Sequence, residues 1–403
     1  MSEAPSETAW LTIVGIGEDG LNGLSPASQR ALAEAEVVIG PPRHLALLPA
    51  LPAATIRWPV PFADGLPILH AHRGRRVVVL ASGDPFWFGA GAVIARTFEA
   101  EAWRALPGPS TFSIAAARLG WAIEKTVCLG LHAAPLTRLR PHLAPGVQAI
   151  LLLREGPSVP ALARYLVQLG FGGSRLTVME ALGGPHERMT PALAGAPPDR
   201  SYAHPVAVAV EVAGDGVVIP CSHGIDDTLF ETDGQMTKRP VRALALSALA
   251  PRPFETLWDI GGGTGSIAVE WLLAHPTTQA ISIEARPERA ARIRANAATL
   301  GVDRLDVVEG TAPAALAGLT APDAVFVGGG LSEVLLADLS ARVPAGTRLV
   351  AHAVTLESEA LLATWSVRLG GTLLRIDLSE ASPLGPKRGW RASYPVVQWR
   401  VVL

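Results

Sequence analysis

Cysteine is scarce: Cys128 and Cys221 are the only two among 403 residues, and they form no C-x-x-C pair. That excludes a disulfide framework and, with the ten histidines unclustered, gives no zinc-ligand spacing, so no metal site is expected. Charge is nearly balanced, with 34 basic and 36 acidic residues and a formal net charge of −2. No long Lys/Arg run is present, so the chain lacks the electrostatic footprint of a nucleic-acid partner. Apolar runs such as Arg76–Ala81 and Gln148–Leu153 are strand-length, far short of the ~20 residues a membrane helix needs. The opening MSEAPSETAW has neither the basic nor the apolar region of a signal peptide. These absences lead us to expect a cytoplasmic protein without a membrane or nucleic-acid partner. Hydrophobic residues, by contrast, make up 49% of the chain, and 40 Gly with 34 Pro punctuate it often. That composition suits α/β architecture with many short loops, and the length exceeds the roughly 100–200 residues of one domain, so two are expected.

The most informative stretch is Thr256–Leu272, TLWDIGGGTGSIAVEWL. An apolar strand, Leu257–Ile260, runs into a glycine turn and then into a helix beginning at Ser266. A dinucleotide loop needs G-x-G-x-x-G, but its third position here is Ser266. The glycines instead fall at Gly261, Gly263 and Gly265 behind Asp259, and a second strand, Gln279–Glu284, ends in an acid suited to a ribose diol. This pattern resembles the class I S-adenosylmethionine (SAM) methyltransferases, whose first motif reads D-x-G-x-G-x-G. The resemblance implies a Rossmann-like domain with a seven-stranded sheet closed by an antiparallel strand, Tyr394–Val402. It also implies cofactor contacts from Gly261, Gly262, Gly263, Thr264, Gly265 and Glu284, with Ala312 near the adenine and Thr237 bordering the site. Thr237 is moreover a plausible N-cap for a helix through Leu249. The fourth strand, Ala324–Val327, ends in three glycines and lacks the N-P-P-Y type motif of amino-methylating nucleic-acid enzymes.

The first half holds a different constellation. The strand Leu11–Val14 ends in Gly15-Ile16-Gly17-Glu18-Asp19-Gly20, but the following helix waits until Ser25-Pro26, an N-cap with proline at N1. Glu18 and Asp19 would also repel a pyrophosphate. Further on come Ser82-Gly83-Asp84-Pro85 and Pro107-Gly108-Pro109-Ser110, each turn-like alone. In this order, with strands at 148–154, 176–182 and 206–212, they resemble the tetrapyrrole methylase family, a two-lobed (class III) SAM-binding fold. That resemblance implies cofactor contacts from Gly15, Gly83, Asp84, Pro85 and Ser110. In many relatives the first loop reads G-x-G-P-G, which Glu18-Asp19-Gly20 replaces here.

We therefore expect α/β domains at 1–212 and 233–403, joined by a polar surface linker at 213–232. The pairing resembles the fused tetrapyrrole methyltransferases of cobalamin biosynthesis. It implies two SAM-dependent methylations of a precorrin-6B-type substrate at carbons 5 (first domain) and 15 (second domain). Loss of the carbon-12 acetate carboxylate would accompany the second, giving precorrin-8. By the same resemblance there is one SAM site per domain, and the chain forms a homo-oligomer. The cationic stretch Lys387–Arg391, read as a loop, offers Arg388, Arg391 and Trp390 to the carboxylates and face of a macrocycle. No catalytic acid or base is assigned. The other readings are a methyltransferase for another small molecule or a protein, and a tetrapyrrole carrier without activity.

Overall fold

The computed structural model describes residues 9–403 and divides into two compact units. Unit 1 comprises Met1–Leu136 with Leu143–Val217; unit 2 comprises Thr137–His142 with Val218–Leu403. Among the described residues no helix is long and apolar enough to cross a membrane.

Unit 1 holds two five-stranded sheets. The first contains β1 (Leu11–Ile16), β2 (Val37–Gly40), β3 (Ala54–Arg57), β4 (Val77–Ser82) and β5 (Trp103–Leu106), in the order β3-β2-β4-β1-β5. All its pairings are parallel. The runs LTIVGI and VVVLAS are buried almost throughout, as strands covered on both faces must be. The helix after β1 starts at Pro26, with the Ser25 hydroxyl accepting from the Ser28 N–H at 3.1 Å, where the sequence puts it. The second sheet contains β6 (Val127–Gly130), β7 (Gln148–Leu153), β8 (Arg175–Glu180), β9 (Arg188–Leu193) and β10 (Val206–Glu211), in the order β6-β7-β10-β8-β9. Only β6 and β7 run parallel in it. The helix Thr111–Leu119 buries Phe112, Ala115 and Ala116 in one cluster with Ile150, Ala207 and Ala209.

Unit 2 is built on β11 (Thr256–Ile260), β12 (Gln279–Glu284), β13 (Asp306–Glu309), β14 (Ala324–Val327), β15 (Arg348–Ala353), β16 (Thr372–Ile376) and, beyond a hairpin, the last strand of the chain. The hairpin pairs β17 (Ser379–Leu384) with β18 (Lys387–Ala392), and β19 (Val396–Val402) follows. The seven-stranded order is β13-β12-β11-β14-β15-β19-β16, with β19 antiparallel to both neighbours. The closing antiparallel strand is thus present, and it enters between two earlier strands.

Two local expectations are corrected. Lys387–Arg391 is no loop: it forms most of β18, whose exposed residues carry no apolar alternation to announce a strand. The helix after Thr237 starts at Arg239 with Lys238 at the N-cap position and no side-chain cap. Thr237 instead offers its carbonyl to Nη1 of Arg242 at 2.7 Å. The polar stretch ahead of it is tied down as well. Ile219, Ile225 and Phe230 are buried in the same core cluster as Leu246, Leu257 and Trp271.

Candidate active site

In unit 1 three strand ends are drawn together by glycine. The Gly83 N–H donates to the Ile16 carbonyl and the Gly108 N–H to the Gly83 carbonyl, each at 3.0 Å. A Cβ on Gly15 would lie 1.8 Å from the Gly83 oxygen and 2.6 Å from the Gly108 nitrogen. One on Gly83, whose φ is +47°, would lie 2.7 Å from the Pro109 oxygen. Only hydrogen fits at these points, so backbone meets backbone at the carboxyl ends of β1, β4 and β5. Gly15, Gly83, Asp84, Pro85 and Ser110 are thereby gathered at the carboxyl ends of these strands, where α/β sheets form their ligand crevice. Ser110 is committed as N-cap of the helix behind it, accepting from the Ser113 N–H at 3.1 Å. Asp84 forms an Asx turn, accepting the Phe86 N–H at 2.8 Å, which leaves its second carboxylate oxygen for a ligand.

Glu18 of the first loop is not left to repel an anion, contrary to its reading in isolation. Glu18 is ion-paired with Nη1 of Arg43, which follows β2. Nη2 of Arg43 lies 2.7 Å from His44 Nε2 and 3.1 Å from the Ser82 hydroxyl. His44 is 3% exposed. Burial, reinforced by the Arg43 charge, lowers it to about 4. Neither Arg43 nor His44 was singled out from the sequence, and Ser82 was read only as the first residue of its turn motif. The visible signal is a polar pair placed directly after an apolar strand and two prolines.

In unit 2 the three motif glycines Gly261, Gly263 and Gly265 take φ of +73°, +60° and +75°, a region that penalises any Cβ. Contact adds to this at two of them: a Cβ at Gly261 would meet the Gly329 nitrogen at 2.6 Å, and one at Gly265 would meet Ile293 at 2.7 Å. Gly262 lies against the Ser282 hydroxyl. The N–H groups of Gly261 and Gly262 both donate to the Ile283 carbonyl, fixing the turn at the carboxyl end of β11. The neighbouring strands β12 and β14 lie on opposite sides of β11, which makes this the switch point where open α/β sheets bind ligands.

Glu284 is 6% exposed and braces the loop, accepting the Gly263 N–H at 2.9 Å and the Arg286 N–H at 3.0 Å. A residue missed from sequence is Asn296. Its amide donates to the Thr264 carbonyl at 2.9 Å and to the Glu231 carbonyl at 3.0 Å, and its oxygen accepts the Glu231 N–H at 2.8 Å. One side chain thus ties the glycine loop to the segment leading to Thr237. Ala312 lies past β13 and packs against the core that includes Ile260 and Ile283.

The hairpin separates the three residues expected to act together. Side chains alternate along a strand, so Arg388 and Trp390 share one face of β18 and Arg391 lies on the other. Trp390 is 79% exposed.

Asp259, 1% exposed, is pushed up to about 7, first by burial and in small part by Glu284, against the pull of the Ser282 hydroxyl and the Ala268 N–H. The unfolded carboxyl titrates near ~3.9. Between these values the folded chain keeps a proton that the unfolded chain has lost, so stability falls as pH rises from about 4 to about 7 and levels off above. Asp259→Asn should flatten that decline. Thermal midpoints of wild type and variant at several pH values in this window test it; parallel curves would contradict the assignment.

Residues 10–197 match the family model described as Tetrapyrrole (Corrin/Porphyrin) Methylases, and residues 228–403 match that described as Precorrin methyltransferase domain. Over 404 residues the chain is 52% identical to the precorrin-6Y C(5,15)-methyltransferase [decarboxylating] of Sinorhizobium sp, covering 99% of this chain and 97% of that relative. The chain belongs to the precorrin-6Y C5,15-methyltransferase family. It is accordingly a methyltransferase with SAM as methyl donor. Two shorter relatives match parts of it. The cobalt-precorrin-6B C(15)-methyltransferase (decarboxylating) of Salmonella typhi is 32% identical over 40% of this chain and 85% of its own length. The cobalt-precorrin-7 C(5)-methyltransferase of Salmonella typhimurium is 30% identical over 44% of this chain and 88% of its own length.

Proposed function

We propose that this chain converts a precorrin-6B-type tetrapyrrole by two carbon methylations and one decarboxylation, with a separate SAM site in each unit. The reading is supported above all by one observation: two unrelated glycine cradles, at Gly15/Gly83/Gly108 and at Gly261/Gly265, each so tight that a Cβ would collide with backbone or core. We assign carbon 5 to unit 1, and carbon 15 with the acetate carboxylate to unit 2; that separate relatives named for C(15) and C(5) methylation each match under half of this chain supports such a division. Relatives named for cobalt-precorrins match under half of this chain, whereas the full-length relative is named for a precorrin. We accordingly assign a metal-free substrate.

SAM, when bound, supplies an electrophilic sulfonium methyl. What the chain must do is hold a nucleophilic meso carbon in line with it in a water-poor crevice, which can account for most of the rate. In unit 1 we assign the binding of SAM to Gly15, Gly83, Asp84, Pro85 and Ser110; in unit 2 to Thr237, Gly261–Gly265, Glu284 and Ala312. The meso proton leaves with its electron pair retained by the macrocycle. Decarboxylation breaks a carbon–carbon bond, sends that pair into the same conjugated system and leaves a methylene that takes up a proton to become a methyl group, so no strong protein base is required. Arg388 with Trp390 on one hairpin face, and Arg391 on the other, are assigned to the carboxylates and ring face of the substrate. The working form is taken to be a cytoplasmic homo-oligomer with neither membrane nor nucleic acid as partner.

The test is to incubate the full chain with SAM and precorrin-6B and to follow product mass. Gain of two methyl groups with loss of one carbon dioxide is expected. An unaltered tetrapyrrole beside a protein that still binds SAM would overturn the substrate assignment.

A further inference from the structure

The polar cluster beside the unit 1 crevice has no task in the proposal above, although it rests on that reading. Four side chains from three strand ends converge in it: Glu18 after β1, Arg43 and His44 after β2, and Ser82 at the end of β4. Ser82 pairs in register with Ile16 and immediately precedes Gly83, so the cluster borders the glycine cradle. Glu18 also approaches the loop after β8, where a Cβ on Gly184 would lie 2.6 Å from the Glu18 Cβ. The cluster therefore sits where loops of the two sheets of unit 1 meet.

Arg43 is the centre of it. One Nη1 hydrogen is taken by Glu18, and Nη2 faces His44 and the Ser82 hydroxyl. His44 Nε2 is also 2.9 Å from that hydroxyl. An imidazole beside a guanidinium can accept from it only while neutral, and burial with the Arg43 charge keeps His44 in that form. The guanidinium is thus gripped from one side and along one edge. A guanidinium has five N–H donors. Among the described residues, Nε and the second Nη1 hydrogen meet no acceptor, and the side chain is 31% exposed. A held, partly desolvated guanidinium with donors to spare, next to an exposed hydroxyl, has the chemistry of a carboxylate receptor. Glu18 moderates its charge so that it does not stand buried and unpaired without ligand.

We propose that Arg43 is a carboxylate-binding residue of unit 1, oriented by His44 and Glu18, with Ser82 contributing a second contact. Two carboxylates can come to this crevice: an acetate or propionate of the macrocycle, or the methionine carboxylate of SAM.

The test compares full-length wild type with Arg43→Ala, Arg43→Lys and Glu18→Gln. Affinity for the tetrapyrrole substrate is read by fluorescence quenching, affinity for SAM by calorimetry, and folding by thermal midpoint. Loss of one charge-assisted contact weakens binding by about ten- to hundred-fold. If Arg43→Ala weakens the tetrapyrrole alone by that factor, the carboxylate belongs to the macrocycle. If it weakens one of the two SAM sites alone, the carboxylate is the methionine's. Either supports the proposal, with Arg43→Lys intermediate because it keeps charge but loses the fork. Glu18→Gln frees the guanidinium and should tighten the same ligand. Unchanged affinities in Arg43→Ala overturn the proposal, as do equal losses in Arg43→Ala and Glu18→Gln, which would show a role for the ion pair alone. These binding constants do not depend on turnover. A wild type that binds both ligands but forms no methylated product would therefore sink the functional reading while still deciding the role of Arg43.

Discussion

Gly15→Ala should abolish methylation at carbon 5 while leaving methylation at carbon 15 and decarboxylation in place. The added methyl group would lie 1.8 Å from one backbone oxygen and 2.6 Å from a backbone nitrogen, and neither can move as a side chain would. Relief requires breaking the Gly83-to-Ile16 or Gly108-to-Gly83 hydrogen bond and parting β1 from β4 at the point where the crevice is formed. Overpacking of this kind costs roughly 1–3 kcal/mol, which a unit of this size can survive folded. The geometric cost is larger, since misplacing a reacting group by about 1 Å can lower a rate ~100-fold. With SAM and precorrin-6B the variant should accumulate a product that has gained one methyl group and lost carbon dioxide. A doubly methylated product at the wild-type rate would show that the cradle does not serve carbon 5. Loss of both methylations at an unchanged thermal midpoint would break the assignment of one activity to each unit.

What the sequence made legible follows from how each feature is encoded. Glycine loops are local: the positive φ values at Gly261, Gly263 and Gly265 are written into alternate positions of one short stretch, and the apolar strands beside them are equally local. Both α/β units and the antiparallel closing strand were readable for that reason. The Asx turn of Asp84 was legible for the same reason, and it is present. The features that escaped depend on partners far along the chain. Glu18 looked like a repulsive charge because Arg43, which neutralises it, stands 25 residues away. Asn296 holds the glycine loop from 32 residues off. The stretch before Thr237 looked like a surface linker because Ile219, Ile225 and Phe230 follow neither a helix nor a strand period. The β17–β18 hairpin escaped because Lys387, Arg388 and Arg391 are exposed, and a strand without a buried face leaves no pattern to read.

The second large effect is expected at Glu270, which is 2% exposed and meets a fully buried Arg242. Each partner also serves backbone. Glu270 accepts the Gly224 N–H at 2.6 Å and the Ile225 N–H at 3.1 Å. Arg242 donates to the carbonyls of Ile225 and Thr237 and to the Asp227 carboxylate. The pair is thus the fastening that folds residues 224–237 onto the body of unit 2. Glu270→Ala leaves a buried guanidinium short of its closest counter-charge and two N–H groups without acceptors, a loss of about 3–5 kcal/mol. At roughly 2–4 °C per kcal/mol for a unit of this size, the thermal midpoint should fall by about 6–20 °C. Because Thr237 and the Asn296-bound segment are released together, SAM affinity at the site proposed for unit 2 should fall too, with the site proposed for unit 1 unaffected. The double exchange Arg242→Met/Glu270→Leu separates the two contributions. A buried ion pair replaced by apolar residues of similar size is often neutral or stabilising when charge alone is at stake. Here the orphaned backbone groups remain, so the double variant should recover only part of the lost stability. Full recovery would show that the pair serves charge compensation alone and that residues 224–237 hold their place by the packing of Ile219, Ile225 and Phe230.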